Sequence, residues 1–222
     1  MGEMIQFAAD ATEGELEGYL ACAEDPKGAV IVLPEWWGLN DQIKETCDRF
    51  AQAGFTALSP DLYDGRVAQE ADEADHLMTG LDWVGATHSD VRGAAQYLEA
   101  ETGLPVAVMG FCMGGALTII AAVDVPEIKA VVCYYGIPPI EQADPAKMQV
   151  PFQGHFAGID DWCTPEAVKD LEEQTKSNSG PVEIHMYEGK EHAFFNTMSN
   201  RFDKDAAELS WTRTVEFLSH HL

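Results

Sequence analysis

Val106-Ala-Val-Met-Gly110-Phe-Cys-Met-Gly-Gly115-Ala-Leu-Thr-Ile-Ile-Ala-Ala122 runs from a short apolar segment, through a turn framed by glycines, into a stretch of small and apolar residues. The spacing predicts a strand over Val106–Met109 and a helix over Ala116–Ala122, with no loop between them. The turn itself has the form G-x-C-x-G, a nucleophile elbow with sulfur in place of the usual hydroxyl. Strand and helix cross so closely in such a turn that the second residue on each side of the centre must be small. The centre is pushed into a backbone conformation that only surrounding packing sustains. Cys112 would then project from the top of the sheet at a helix N-terminus, where the dipole favours thiolate. The Met113 amide would point to where an oxyanion forms. A blander reading has Gly110 and Gly114 punctuating a tight turn around a small buried cysteine, so the rest of the chain must decide.

Outward from this turn, short continuous apolar runs alternate with helix-period stretches. Strands are expected at Ala29–Leu33, Phe55–Ser59, Ile128–Tyr135, Val150–Phe156 and Val182–Met186, and an edge strand at Gly14–Ala21. Helices are expected over Asp41–Gln52, with Gly54 ending it, Glu70–Met78, Val84–Ala100, Pro165–Lys176 and Asp203–His220. Strands that read as unbroken hydrophobics are buried on both faces, the mark of a parallel sheet sandwiched by helices. The expected fold is α/β: one domain over 1–222, a mostly parallel, doubly wound sheet with helices on both faces. Ligands in such sheets bind beyond the carboxyl ends of the strands, so functional residues should follow strands directly.

The 222 residues are 46% hydrophobic and 23% charged, a globular composition, with 13 Lys+Arg against 38 Asp+Glu and a net charge of −25. Such a surface repels phosphate backbones and anionic lipid, which argues against nucleic-acid and membrane partners. The apolar runs are strand-sized, and Met1 to Glu24 lacks a basic start followed by an apolar run, so neither a membrane span nor a secretory signal is read. Five sparsely spaced cysteines with no C-x-x-C pair favour a reducing compartment, taken as the cytoplasm, over a disulfide framework or zinc cluster.

A nucleophile needs a base, and the base needs a third group to orient it. The chain order expected for this elbow is nucleophile, acid, histidine. His220 and His221 lie at the C-terminus, His185 lies inside a strand, and His155 precedes the acid-bearing loop. His192 alone follows the last strand, in Glu188-Gly-Lys-Glu-His-Ala-Phe194. The acid should come from Ala157-Gly-Ile-Asp160-Asp161-Trp-Cys-Thr-Pro165, where two adjacent aspartates leave the choice open on spacing. The competing use for one of them is as a helix cap, but Thr164 is better placed for that.

The chain resembles the dienelactone hydrolase family, small α/β-hydrolases with a cysteine nucleophile, over nearly its whole length. The marks are Leu33-Pro-Glu35-Trp-Trp-Gly38, Pro60-Asp-Leu-Tyr63, Gly110-Phe-Cys-Met-Gly-Gly115, Tyr134-Tyr-Gly136, Gly158-Ile-Asp-Asp161 with Pro165, and Glu191-His-Ala-Phe194. The resemblance implies the α/β-hydrolase fold and a triad of Cys112, His192 and Asp161, the family's spacing selecting Asp161 over Asp160. It further implies that Glu35 faces the thiol and helps form the thiolate, and that the amides of Trp36 and Met113 make the oxyanion hole.

The family's archetypes hold a substrate carboxylate with two arginines. Here Ala71–Leu77 has no arginine and the position four after His192 is Asn196, which supplies neither charge nor fork. Arg66 and Lys190 are the stand-ins in sequence, and Trp36, Trp37, Tyr63, Trp162 and Phe194 are expected to rim the cleft. The expected activity is hydrolysis of a small-molecule carboxylic ester or lactone, with no metal or organic cofactor, by a monomer or small homo-oligomer. A thioesterase or acyl transferase on the same scaffold, and a non-catalytic ligand-binding member, are the alternatives.

Overall fold

The computed structural model describes residues 1–10 and 14–222. Its strands are β1 (Glu3–Ala8), β2 (Glu15–Ala21), β3 (Ala29–Leu33), β4 (Thr56–Pro60), β5 (Val106–Phe111), β6 (Ile128–Tyr134), β7 (Phe152–Ile159) and β8 (Val182–Glu191). They form one sheet in the order β1-β2-β4-β3-β5-β6-β7-β8. The β1/β2 and β2/β4 pairs are antiparallel and all the others are parallel. The mostly parallel α/β fold expected from the apolar runs is the one observed.

The central strands show why. Every residue of β3, β4 and β5 is buried. Alternate side chains of a strand enter opposite layers: Ile31, Leu33 and Val108 join the core under one set of helices, and Val30, Val32 and Met109 join the other. The helices α1 (Asp41–Gln52) and α7 (Lys204–His221) cover the second layer through Ile43, Phe50, Phe217 and Leu218. On the first layer lie α2 (Ala71–Gly80), α3 (Trp83–Gly85), α4 (Arg92–Thr102), α5 (Met113–Asp124) and α6 (Pro165–Thr175), represented by Leu77, Leu98, Leu117 and Leu171. No helix among the described residues is long and apolar enough to cross a membrane.

Three elements differ from expectation. Strand β1 has no counterpart among the expected strands, because only Phe7 of its six residues is buried and an exposed outer strand carries almost no apolar signal. The helix expected over Val84–Ala100 is present but not uniform: helical backbone runs unbroken from Trp83 to Thr102, capped by Asp82 accepting from the Val84 amide, and its turns over Ala86–Val91 are of the π type. Strands β7 and β8 run further than their apolar cores, to Ile159 and Glu191, with a register shift between Ala157 and Ile159. That extension delivers the acid-bearing loop and His192 at the same end of neighbouring parallel strands.

Candidate active site

The turn between β5 and α5 is as tight as the sequence requires. A Cβ on Gly110 would lie 2.3 Å from the Gly114 carbonyl oxygen, and one on Gly114 would lie 2.5 Å from that of Pro34. No rotation relieves a clash with backbone, so glycine is obligatory at both places. Cys112 between them has φ 53° and ψ −115°, far from any common conformation of an L-residue. Its backbone is pinned on both sides, the amide donating to Tyr134 O at 3.0 Å and the carbonyl accepting from Ala116 N at 3.0 Å. The Gly114 amide donates to Pro34 O at 3.0 Å, tying the elbow to the segment that carries Glu35 and Trp36.

The thiol of Cys112 is only partly exposed and receives the amides of Met113 and Trp36. These are the two backbone donors expected of an oxyanion hole. Burial pushes the thiol well above its ordinary range and the nearby Glu35 charge adds to this, while the two amides pull it back. Burial and the Glu35 charge thus oppose the thiolate that a helix N-terminus would favour.

Glu35 follows β3 and Pro34 and is itself buried. Its Oε1 accepts from the Tyr135 hydroxyl at 3.0 Å, and its Oε2 accepts from Nδ2 of Asn196. Among the described residues no lysine or arginine pairs with it. Burial therefore raises its carboxyl above the usual range, with the Asn196 and Tyr135 hydrogen bonds and the His192 charge opposing. Asn196 is fixed in turn, because its Oδ1 accepts from Met198 N at 2.8 Å. Tyr135 lies buried immediately after β6 with φ 37°, and its ring meets the His192 ring edge-on at 5.0 Å. Sequence reasoning missed Tyr135 as a site residue. Its signal there was its place at the carboxyl end of a central strand.

His192 leaves β8 directly, and Nδ1 lies 2.7 Å from Oδ2 of Asp160. The carboxylate that meets the imidazole is thus Asp160, which corrects the expectation of Asp161. The physical reason is the register shift before Ile159 together with an Asx turn. Oδ1 of Asp160 accepts the amides of Trp162 and Cys163 at 2.8 and 2.9 Å, folding its side chain under the loop. Its neighbour Asp161 is exposed. Burial by itself would raise the Asp160 carboxyl, but the His192 hydrogen bond and charge and the two amides outweigh it and hold it below the usual range. Neither aspartate caps α6: Oγ1 of Thr164 accepts from Ala167 N at 3.2 Å, as expected.

These groups open into a cleft of about 1180 Å³ whose apolar walls include Trp36, Trp37, Leu39, Met78, Trp162 and Met198. Two of the five aromatics expected there are elsewhere. Phe194 is fully buried, and Tyr63 is buried with its hydroxyl on Sδ of Met113 at 3.2 Å, beneath the elbow. Both cationic stand-ins also lie outside. Arg66 lines a separate cavity and donates Nε to Tyr63 O, and Lys190 is paired with Asp203. The cations that do line the cleft, Lys44 and Arg201, were not picked out in the sequence. Among the described residues no three His, Cys, Asp or Glu side chains cluster as metal ligands would.

The sequence model of the dienelactone hydrolase family matches residues 16–222. Over 235 residues the chain is 34% identical to "Protein usf" of Aquifex pyrophilus, covering 100% of each. Its backbone is similar to that of a dienelactone hydrolase-like promiscuous phosphotriesterase from metagenomic libraries, with a TM-score of 0.85 at 21% identity over 99% of this chain and 98% of the other. It is also similar to Thermogutta terrifontis esterase 2, solved phosphorylated by paraoxon, with a TM-score of 0.70 at 18% identity over 97% and 94% of the two chains. The chain belongs to the dienelactone hydrolase family, on the α/β-hydrolase fold, and with it to the carboxylic ester hydrolases.

Proposed function

We propose that the protein hydrolyses a small carboxylic ester or lactone through Cys112, His192 and Asp160. The observation that carries this reading is the imidazole of His192, anchored on a buried Asp160 and lining the same cleft as a thiol under two backbone amides. Sγ of Cys112 adds to the carbonyl carbon, and the resulting oxyanion is held by the Met113 and Trp36 amides. Each donor in such a site is worth on the order of 10²–10³ in rate. The thiol proton, taken up on the side of Glu35 and His192, ends on the leaving alkoxide, and a thioester remains. The imidazole then takes a proton from water, whose oxygen attacks the thioester. The acid departs and the thiol is restored.

Thiolate leaves readily from a tetrahedral intermediate, so activated esters and lactones suit this nucleophile and amides do not. The scheme needs no metal or organic cofactor. The apolar walls fit an apolar or aromatic substrate. All five cysteines are free thiols, which supports a reducing, cytoplasmic setting. The test is turnover of an aryl ester panel. Wild type should release phenolate, Cys112→Ala should not while keeping its circular dichroism spectrum, and mass spectrometry should trap an acyl adduct on Cys112. Retained turnover in Cys112→Ala removes it as nucleophile. Product analysis with added thiols or alcohols would expose acyl transfer.

A further inference from the structure

We propose that the cleft selects by charge, favouring esters and lactones that are neutral or cationic around the reacting carbonyl and rejecting those that carry a carboxylate. The inference rests on the hydrolase reading above and names its substrate class. Five carboxylates line the cleft against two cations. Glu35 and Asp160 are buried at the reacting end, and Asp41, Asp161 and Glu191 are exposed at the rim.

At the reacting end the donors are neutral: the Tyr135 phenol and the Asn196 amide serve Glu35, and no lysine or arginine among the described residues does. A substrate carboxylate placed there would face the Glu35 charge with no fork to receive it. Lys44, on α1, and Arg201, in the loop after β8, are the two cations in the cleft's lining, and neither donates to Glu35. They are outnumbered there by Asp41, Asp161 and Glu191. The net charge of −25 on the whole chain adds a field of the same sign, which a cleft with apolar walls focuses. Trp36, Trp37 and Trp162 line the cleft, and an indole face, the negative side of its ring quadrupole, accepts a cation and not an anion.

The experiment compares three p-nitrophenyl esters of equal acyl length, ending in methyl, carboxylate or trimethylammonium. At low ionic strength, kcat/KM for the carboxylate ester should fall about tenfold or more below the neutral one, and the cationic ester should match or exceed the neutral. The gap should shrink as salt screens the field, and the Asp161→Asn/Glu191→Gln double variant should narrow it at fixed salt. A carboxylate ester turned over as fast as the neutral one, or a gap indifferent to both salt and the double variant, overturns the proposal. A second measurement does not need turnover: alkylation of Cys112 by iodoacetate and by iodoacetamide, located by mass spectrometry and run beside the same pair of reactions on free N-acetylcysteine. Iodoacetate should be disfavoured about tenfold more at Cys112 than at N-acetylcysteine, and equal preference at the two thiols overturns the selection. If no ester is hydrolysed while alkylation still discriminates, the hydrolase reading fails and the charge selection stands.

Discussion

The hydroxyl of Tyr135 lies 3.0 Å from Oε1 of Glu35, and it arrives there from a backbone conformation, φ 37°, that a bulky residue seldom adopts. Such a conformation costs on the order of 1–3 kcal/mol and persists only when its surroundings impose it. Cys112, with φ 53°, is a second strained residue at the ends of neighbouring strands. Together they aim a phenol and a thiol at one buried carboxylate.

Asp160 and Asp161 should separate cleanly on mutation. Asp160→Asn removes the charge that fixes the His192 tautomer, and kcat should fall by about 10³–10⁴. Asp161→Asn should leave kcat for a neutral ester within about threefold, since the side chain is exposed. Steady-state kinetics on one aryl ester decides this, and equal losses in the two variants would discard the assignment.

The thiol should resist alkylation at neutral pH. Burial and the Glu35 charge hold Cys112 protonated, so the exposed Cys22 should react with iodoacetamide first at pH 7. Raising the pH should bring Cys112 forward. Glu35→Gln removes the neighbouring charge, lowers the thiol's pKa and should speed alkylation at pH 7–8 while slowing ester turnover. Peptide mapping of labelled protein reads both effects.

Glu35 should also cost stability where it is ionised. Its folded-state carboxyl titrates above the ordinary value of 4.5, so the native state binds the proton more tightly than the unfolded chain does. That contribution is complete below pH 4.5 and declines as pH rises towards the folded value. Glu35→Gln should therefore raise Tm at pH 7.5 and flatten the decline, while Asn196→Ala should lower Tm, costing about 1–3 kcal/mol by stripping a partner from a buried carboxylate. Thermal melts from pH 4.5 to 8 test the sign.

Gly114→Ala should damage the fold and not the chemistry alone. Its Cβ would meet the Pro34 carbonyl at 2.5 Å, so either the elbow or the segment carrying Glu35 must shift. A loss of about 2–3 kcal/mol is expected, measured by urea titration. Wild-type stability in that variant would show that the turn has slack to absorb a methyl group.

The central strands were legible because β3 and β5 are buried along their whole length and their composition reports it directly. The elbow was legible because a steric demand on Gly110 and Gly114 leaves a mark in the letters themselves. What escaped were features set by pairing over distance. Which aspartate faces His192 depends on a register shift between Ala157 and Ile159. The partners of Glu35 come from Tyr135 and Asn196, 100 and 161 residues away. Lys44 and Arg201 reach the cleft from α1 and from the loop after β8, and nothing local distinguishes them from surface cations.

Because Cys112, Asp160 and His192 all sit at or just beyond the ends of paired parallel strands, the sheet acts as a jig for the proposed triad, whereas most of the cleft's lining comes from connecting segments. Descendants of this chain can therefore exchange those segments, and with them the molecules admitted, while the machinery inherited on the strands stays in place.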